Sequence, residues 1–342
     1  MSRFRAPGRV NLIGDHTDYN EGFVLPLAID LECVVDARAR DDGRVRAVSA
    51  ELGGEVVLPA DARVEPATVE PAWGRLVAGV LRVLAARGRG AVGVDAEVRS
   101  TVPVAAGLSS SAALEVALAL ALCDAASFSL DPVELAHACQ EAEHLATGVP
   151  SGIMDQLASI SGRSGSALLI DCRSLDVDPV ALPPELAVVV VDSGLSRSLA
   201  ETAYAERRAE CERVAASLGL RSLRDATAAQ VAEEPRARHV VSENARVLAF
   251  ADALRRYDVD ALGALLLESH ASLRDDFEVS TPELDACVER LLAAGAVGAR
   301  LTGAGFGGCV VALAPADHAR AVAGAAGTRS WICRAVDGAG RL

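Results

Sequence analysis

Residues 109–125 read SSSAALEVALALALCDA. At helical spacing this segment is apolar nearly all the way round. A helix with no wet side has to be buried on every face, so the rest of the chain must be built around it. The longest unbroken apolar stretch, Val116 to Cys123, falls far short of the ~20 residues a membrane span needs. The helix therefore belongs to a globular core. With 342 residues and about 150 residues per domain, two domains, or one large one, are expected. Aromatic residues are only 3% of the chain and hydrophobic residues 51%, so Ala, Val and Leu must make up that core.

The elements around this helix mix strands and helices. Residues 3–40 read as strand, loop, strand, with Val10–Ile13 extended and Phe23–Ile29 resuming the apolar run. Val34–Ala39 and Arg44–Val48 are expected to pair across the turn cluster Asp41-Asp42-Gly43. Trp73–Arg87 has the spacing of an amphipathic helix, and Val92–Arg99 alternates like a strand. Pro132–Ala146 is a second helix and a third begins near Ser151. Leu186–Val191 is a buried strand. The C-terminal half predicts helices over 199–218, 243–256, 258–270 and 282–294, with strands over 297–301, 309–313 and 331–336. Pro179, Pro183 and Pro184 mark a boundary, which divides the chain into 1–180 and 181–342. The fold class is α+β, or α/β, with mixed sheets.

Composition removes several chemistries. All 33 basic residues are Arg and none is Lys. That excludes the Walker P-loop, protein-kinase chemistry and lysine Schiff-base mechanisms. A net charge of −14, with no basic run to offset it, makes nucleic acid or an anionic membrane an unsuited partner. The eight cysteines are scattered without a CxxC pair, which argues against a zinc cluster. Reduced, buried thiols and a cytoplasmic protein are expected. The N-terminal residues carry no apolar signal region.

Three loops concentrate the chemistry. The first, Ala6 to Asn20, packs Arg9, Asp15, His16, Asp18, Tyr19 and two Asn between apolar runs. It reads either as a solvated turn or as a site for a polyol, since short carboxylates and imidazole pair well with sugar hydroxyls. The second, Pro103 to Ala113, runs small residues and three serines into the buried helix. A helix N-terminus presents unpaired amides and partial positive charge to an anion, although a plain serine cap would look similar. The third, Leu301 to Cys309, matches GxGxxG. It is followed by the strand-like Cys309–Leu313 rather than a helix, so a dinucleotide site is rejected. It either lines a ligand or packs on another loop. Asp155 stands in a first helical turn, where an acid commonly serves the dipole. Glu143 sits at the edge of an apolar face. His137, His144, His239, His270 and His318 show no ligand spacing and are read as structural.

In this order the loops resemble the GHMP kinase superfamily. GRVNLIGDHTDYN with Gly22–Pro26 is similar to the sugar motif of its galactose-phosphorylating branch. GLSSSAALEVA is similar to the ATP loop, GIMDQ to the catalytic segment and LTGAGFGGC to the third motif. The resemblance spans residues 3 to about 313.

It implies a two-domain fold with the active site in the interdomain cleft. It also implies ATP- and Mg²⁺-dependent phosphorylation of the anomeric hydroxyl of α-D-galactose. By this resemblance Asp155 is the general base and Arg9 its neighbour, helping to neutralise phosphoryl charge. Gly107, Leu108, Ser109, Ser110, Ser111 and Ala112 wrap the phosphates, and Ser111 and Glu143 take Mg²⁺. Trp73 contacts adenine and Arg197 assists. Asp18 binds the hydroxyls at carbons three and four, and Asp15 and His16 the one at carbon six. Gly152 and Tyr204 complete the pocket. The family usually has Glu at the position of Asp15 and more glycine at Ala105 and Ala106. The alternatives are a sibling kinase for N-acetylgalactosamine, galacturonate, arabinose or a carbon-six variant, and a non-catalytic sugar sensor. A monomer with a small-molecule substrate is expected.

Overall fold

The computed structural model describes residues 1–104, 106–195, 200–325 and 327–342, with the side chains of 200 and 201 also left out. The first half contributes strands β1 (Ser2–Asn11), β2 (Phe23–Val24), β3 (Pro26–Arg40), β4 (Arg44–Ser49), β5 (Glu55–Pro59), β6 (Gly93–Ser100), β7 (Ser166–Asp171) and β8 (Val177–Ala181). Its helices are α1 (Gly74–Ala86), α2 (Ser110–Ala125), α3 (Pro132–Thr147) and α4 (Met154–Ser161). The second half adds β9 (Leu186–Asp192), β10 (Gly298–Thr302), β11 (Cys309–Pro315), β12 (Ser330–Cys333) and β13 (Gly340–Arg341). With them come α5 (Ala200–Ser217), α6 (Pro235–Arg256), α7 (Val259–Asp275), α8 (Pro282–Ala293) and α9 (Ala319–Ala325).

Three sheets form, in the orders β13-β1-β3-β6-β4-β5, β10-β11-β9-β12 and β2-β7-β8. The expected pairing of Val34–Ala39 with Arg44–Val48 does not occur. Strand β6 lies between them, antiparallel to β3 and parallel to β4. The turn cluster ends one strand and starts the next, but a local signal cannot exclude a strand arriving from 50 residues further on. The other expected elements are present within a few residues of their predicted bounds, with one extension: α6 begins at Pro235, not at 243.

Helix α2 is the centre, as its composition requires. It packs on β1 and β3 and is flanked by α1, α3 and α4. Leu118, Leu122, Val116 and Ala117 are fully buried. Strand β9 is buried on both faces. Val188 and Val190 join the core around α2, while Val189 and Val191 join a second core under α5–α9. That explains its unbroken valine run. The two halves therefore share a core, and the chain crosses the 180/181 division again when β13 pairs with β1. The third glycine-rich loop connects β10 to β11, two strands. All eight cysteines are buried. Among the described residues no helix is long and apolar enough to cross a membrane.

Candidate active site

The ends of β1, α2 and α4 meet at one point. The register of β1 against β3 shifts between Pro7 and Arg9, and the freed Arg9 N–H donates to the Leu108 carbonyl at 3.1 Å. The Arg9 guanidinium donates through Nε to Asp155 Oδ1 at 2.8 Å and through a terminal nitrogen to the Gly107 carbonyl at 2.7 Å. Ser109 donates its hydroxyl to the other Asp155 oxygen. Asp155 sits in the first turn of α4, which is tied to β1 where the Ser159 hydroxyl donates to the Pro7 carbonyl at 2.7 Å. One guanidinium thus joins the serine-rich loop to a carboxylate that is still a quarter exposed. Ser109 itself is left-handed (φ 58°), a strained setting of the kind that gathers at functional sites. It turns the chain into α2 so that the helix N-terminus opens beside Asp155.

In the first turn of α2, the Ser111 hydroxyl donates to Glu143 Oε1 at 2.7 Å. Ser151 and Gln156 donate to Glu143 Oε2 at 3.2 and 2.9 Å. The Gln156 amide also reaches Glu115, which is fully buried. Burial and the charge of Asp155 push the Glu143 carboxyl up. Burial and the charge of Glu143 push Glu115 well up. Among the described residues no group of three or more His, Cys, Asp or Glu is placed to hold a metal ion.

Across the cleft the loop after β1 is folded tightly on itself. Gly14 has φ 101°, and a methyl there would meet the Phe23 carbonyl at 2.8 Å, so only glycine fits the bend. The Thr17 hydroxyl donates to the carbonyls of Gly14 and Phe23 at 2.8 and 2.6 Å. His16 Nδ1 bonds the Tyr19 hydroxyl at 3.0 Å, while its buried Nε2 has no hydrogen-bond partner among the described residues. Burial, with His239 adding to it, holds His16 neutral, its pKa down at about 3. His16 packs on Phe277 and Tyr204, with ring centroids 4.5 and 5.6 Å away. Asp18 lies against Gly152, where a methyl would fall 1.8 Å from its carboxylate. Burial and then the nearby Asp155 charge raise Asp18 to about 6. The Tyr204 hydroxyl bonds the Gly152 backbone, and burial pushes its phenol well up. Arg9, Asp155, Ser109, Asp18, Gly152, His16 and Tyr204 are therefore brought together, as are Ser111 and Glu143.

Asp15, expected to meet the hydroxyl at carbon six, is engaged within the protein. It is 2% exposed, with Oδ1 accepting the Gly303 N–H at 2.8 Å and Oδ2 2.6 Å from Arg300. A wholly buried guanidinium needs a carboxylate beside it, and this short side chain ends there. Trp73 is a core aromatic first. Its indole N–H donates to the Gly53 carbonyl at 2.8 Å and only 9% of the residue is exposed. Arg197 and Ala105 lie outside the described residues. Beside the serine-rich loop a cleft of about 450 Å³ separates Val104 and Ala106 from Gly194, Leu195, Thr328 and Arg329.

Three residues of this architecture escape a motif reading: Arg300, Glu243 and Glu115. Each is charged and fully buried. Arg300 and Glu115 interrupt apolar runs, which is the signal that could have found them, whereas Glu243 stands in a largely polar helix that gave none.

Known proteins share these features. Residues 2–39 match the galactokinase galactose-binding signature. Residues 75–163 match the GHMP kinases N terminal domain and residues 250–332 the GHMP kinases C terminal. The galactokinase of Roseiflexus sp. (strain RS-1) is 47% identical over 363 aligned positions, covering 99% of this chain and 92% of that one. The structure of Lactococcus lactis galactokinase complexed with galactose superposes with a TM-score of 0.93 at 32% identity, covering 100% and 95% of the two chains. A mevalonate kinase from Methanococcus jannaschii, 18% identical, shares the fold with a TM-score of 0.73 over 98% of both chains. With the galactose signature, both GHMP regions and a full-length relative near half identity, the chain belongs to the galactokinase family of GHMP kinases.

Proposed function

We propose that this site moves the γ-phosphoryl group of ATP onto the anomeric hydroxyl of α-D-galactose, with Asp155 as the base. The observation that carries this reading is the double attachment of Asp155. It is bonded to Arg9 and Ser109 on the side of the serine-rich loop, and its charge acts on Asp18 on the sugar side.

In this reading the hydroxyl proton passes to Asp155 as the galactose oxygen bonds to the γ-phosphorus. The bond to the β–γ bridging oxygen breaks, and ADP leaves. Such transfer depends on positioning and charge neutralisation more than on covalent help. Arg9 is the cation at the point of transfer. The backbone of Gly107 to Ala112 and the N-terminus of α2 take the phosphates, and Arg197 is assigned beside them. The edge of Trp73 is the adenine contact. Asp18 accepts from the hydroxyls at carbons three and four. His16 meets another hydroxyl through its unpartnered Nε2, and Gly152 and Tyr204 close the wall. Asp15 acts here by holding the loop.

The oxygen donors Ser111 and Glu143 fit Mg²⁺, a hard ion that binds through one or two carboxylates and substrate phosphates. When bound, the ion neutralises charge on the phosphate oxygens. Ser111 and Glu143 already converge, and their spacing is kept by Gln156 and Ser151. A single chain carries every residue named, which fits a monomer. The scattered, buried thiols fit a reducing cytoplasm.

The test is sugar-dependent ADP release with ATP and Mg²⁺ over galactose, glucose, arabinose, galacturonate and N-acetylgalactosamine. Turnover on galactose that disappears in Asp155→Asn supports both the substrate and the base. Turnover on another sugar alone keeps the kinase and rejects the sugar assignment. Galactose and ATP binding without ADP release would make the chain a sensor.

A further inference from the structure

We propose that Arg300 is a positioning residue of the sugar site, acting with Thr302 and Gly303 at the end of β10. This rests on the reading of His16 and Asp18 as sugar contacts. Every residue of β10 is buried, and Arg300 has no exposed surface. Its NH1 donates to the Leu12 carbonyl at 3.1 Å and lies 2.6 Å from Asp15 Oδ2. NH2 is 3.8 Å from Glu243 Oε1, the same oxygen that accepts the Gly14 N–H at 3.0 Å and the Ser269 hydroxyl at 2.6 Å.

Neighbouring groups grip the same five residues. The Thr302 hydroxyl donates to the Asn11 carbonyl at 2.8 Å, the Gly303 N–H to Asp15 at 2.8 Å, and His239 Nε2 bonds the Asp15 carbonyl at 3.2 Å. The segment Asn11 to Asp15 is therefore held from residues 239–303 at nearly every peptide. Its next residue is His16, and Asp18 follows within one turn. Where the grip places this segment, it places the imidazole and the carboxylate.

Charge is an expensive way to brace a loop, because both ions must leave water. Only NH1 makes a directional hydrogen bond here, to the Leu12 carbonyl; among the described residues Nε, NH2 and Asp15 Oδ2 have no hydrogen-bond partner, so Asp15 and Glu243 are held by charge at close range. A small displacement of binding groups is enough to weaken a polar site. The phosphate side, built on Arg9, Gly107 and Ser109, does not depend on these bonds. The defect should thus fall on galactose and spare ATP.

The experiment measures KM for galactose and for ATP separately, with melting curves, in Arg300→Lys, Arg300→Met and Asp18→Asn. Arg300→Met should raise KM for galactose tenfold or more and leave KM for ATP within twofold. Arg300→Lys should fall between it and the parent, since one ammonium reaches Asp15 but cannot also orient Leu12 and Glu243. Where the Met variant does not fold, the Lys variant decides alone through the same split. Equal rises in both KM values, or a folded Arg300→Lys indistinguishable from the parent, overturn the proposal. Asp18→Asn separates the two layers. An unchanged galactose KM in that variant removes the sugar reading itself. A large rise there with a silent Arg300→Lys removes only the brace.

Discussion

Asp155 and Asp18 face one another as two acids with different settings. Asp155 has Arg9 on one oxygen and the Ser109 hydroxyl on the other, so its lone pairs are aimed as well as charged. Asparagine keeps the shape and loses the proton acceptor. Asp155→Asn should lower kcat by roughly 10²–10⁴, the usual span for a general base, with galactose affinity by calorimetry little changed. A parallel loss of affinity would make the residue a binder rather than a base. Among the described residues no arginine is bonded to Asp18, and burial, then the Asp155 charge, raise it from 3.8 to about 6 against the smaller opposing effect of Arg9. Ionised, it accepts through both oxygens; protonated, it keeps one acceptor oxygen and becomes a donor at the other, so its grip on two hydroxyls weakens. Galactose binding to the free protein should therefore weaken as pH falls through about 6 and be level above it. Stability runs the other way. A raised acid stabilises the native form when protonated, a contribution full below 3.8 and lost as pH rises through about 6. Galactose titrations from pH 5 to 8 check the first sign. Tighter binding at pH 5 than at pH 7 would reject Asp18 as the acceptor.

Helix α2 shows how much a single element can disclose. Its uniform apolarity announces burial, and its three serines announce an N-terminus with work to do. What composition does not disclose is that Ser111 points at Glu143, a residue 32 positions on. The Ser111 hydroxyl holds the Glu143 carboxylate, and in the proposed function the two together take the metal. Ser111→Ala should raise the Mg²⁺ needed for half-maximal rate by roughly ten- to a hundredfold, the range for groups that orient metal ligands. A magnesium titration at fixed ATP measures it, and an unmoved midpoint would detach Ser111 from the metal. Helix α6 teaches the opposite lesson. Its buried face carries His239, Glu243 and Asn244 among Val240, Val247 and Phe250. The 3.6-residue period is intact, but those polar members hide it from a search for apolar spacing. They are polar because they hold the sugar loop: Glu243 takes the Gly14 amide and Asn244 the Phe23 amide at 2.8 Å. Likewise the four motifs were legible as residues, while the partner of Asp15 was not. Arg300 is 285 positions away, and only the folded chain brings β10 under β1. Strand pairing around β6 was illegible for the same reason, since pairing is settled by distant partners rather than by turns.

At the scale of the whole molecule, a chain of net charge −14 must draw in one neutral substrate and one that is strongly anionic. Local and global fields oppose each other here. Arg9 and the N-terminus of α2 attract phosphate at contact, whereas the surface as a whole repels it during approach. With every cation an arginine, and many of them tied to surface carboxylates such as Asp42, Glu65 and Asp225, few remain to form a long-range basic path. Salt screens the distant repulsion first, because the Debye length is about 10 Å at 0.1 M and ~30 Å at 0.01 M. The contact at Arg9, only 6% exposed on its side chain, is screened least. Raising ionic strength from about 10 to about 150 mM should therefore increase kcat/KM for Mg-ATP several-fold. The value for galactose, which carries no charge, should stay level. Initial rates at subsaturating ATP across a sodium chloride series make the measurement, with total Mg²⁺ held in excess. A fall in kcat/KM for ATP with salt would mean that the cationic mouth of α2 reaches further into solution than the acidic surface does, and that local attraction governs the encounter.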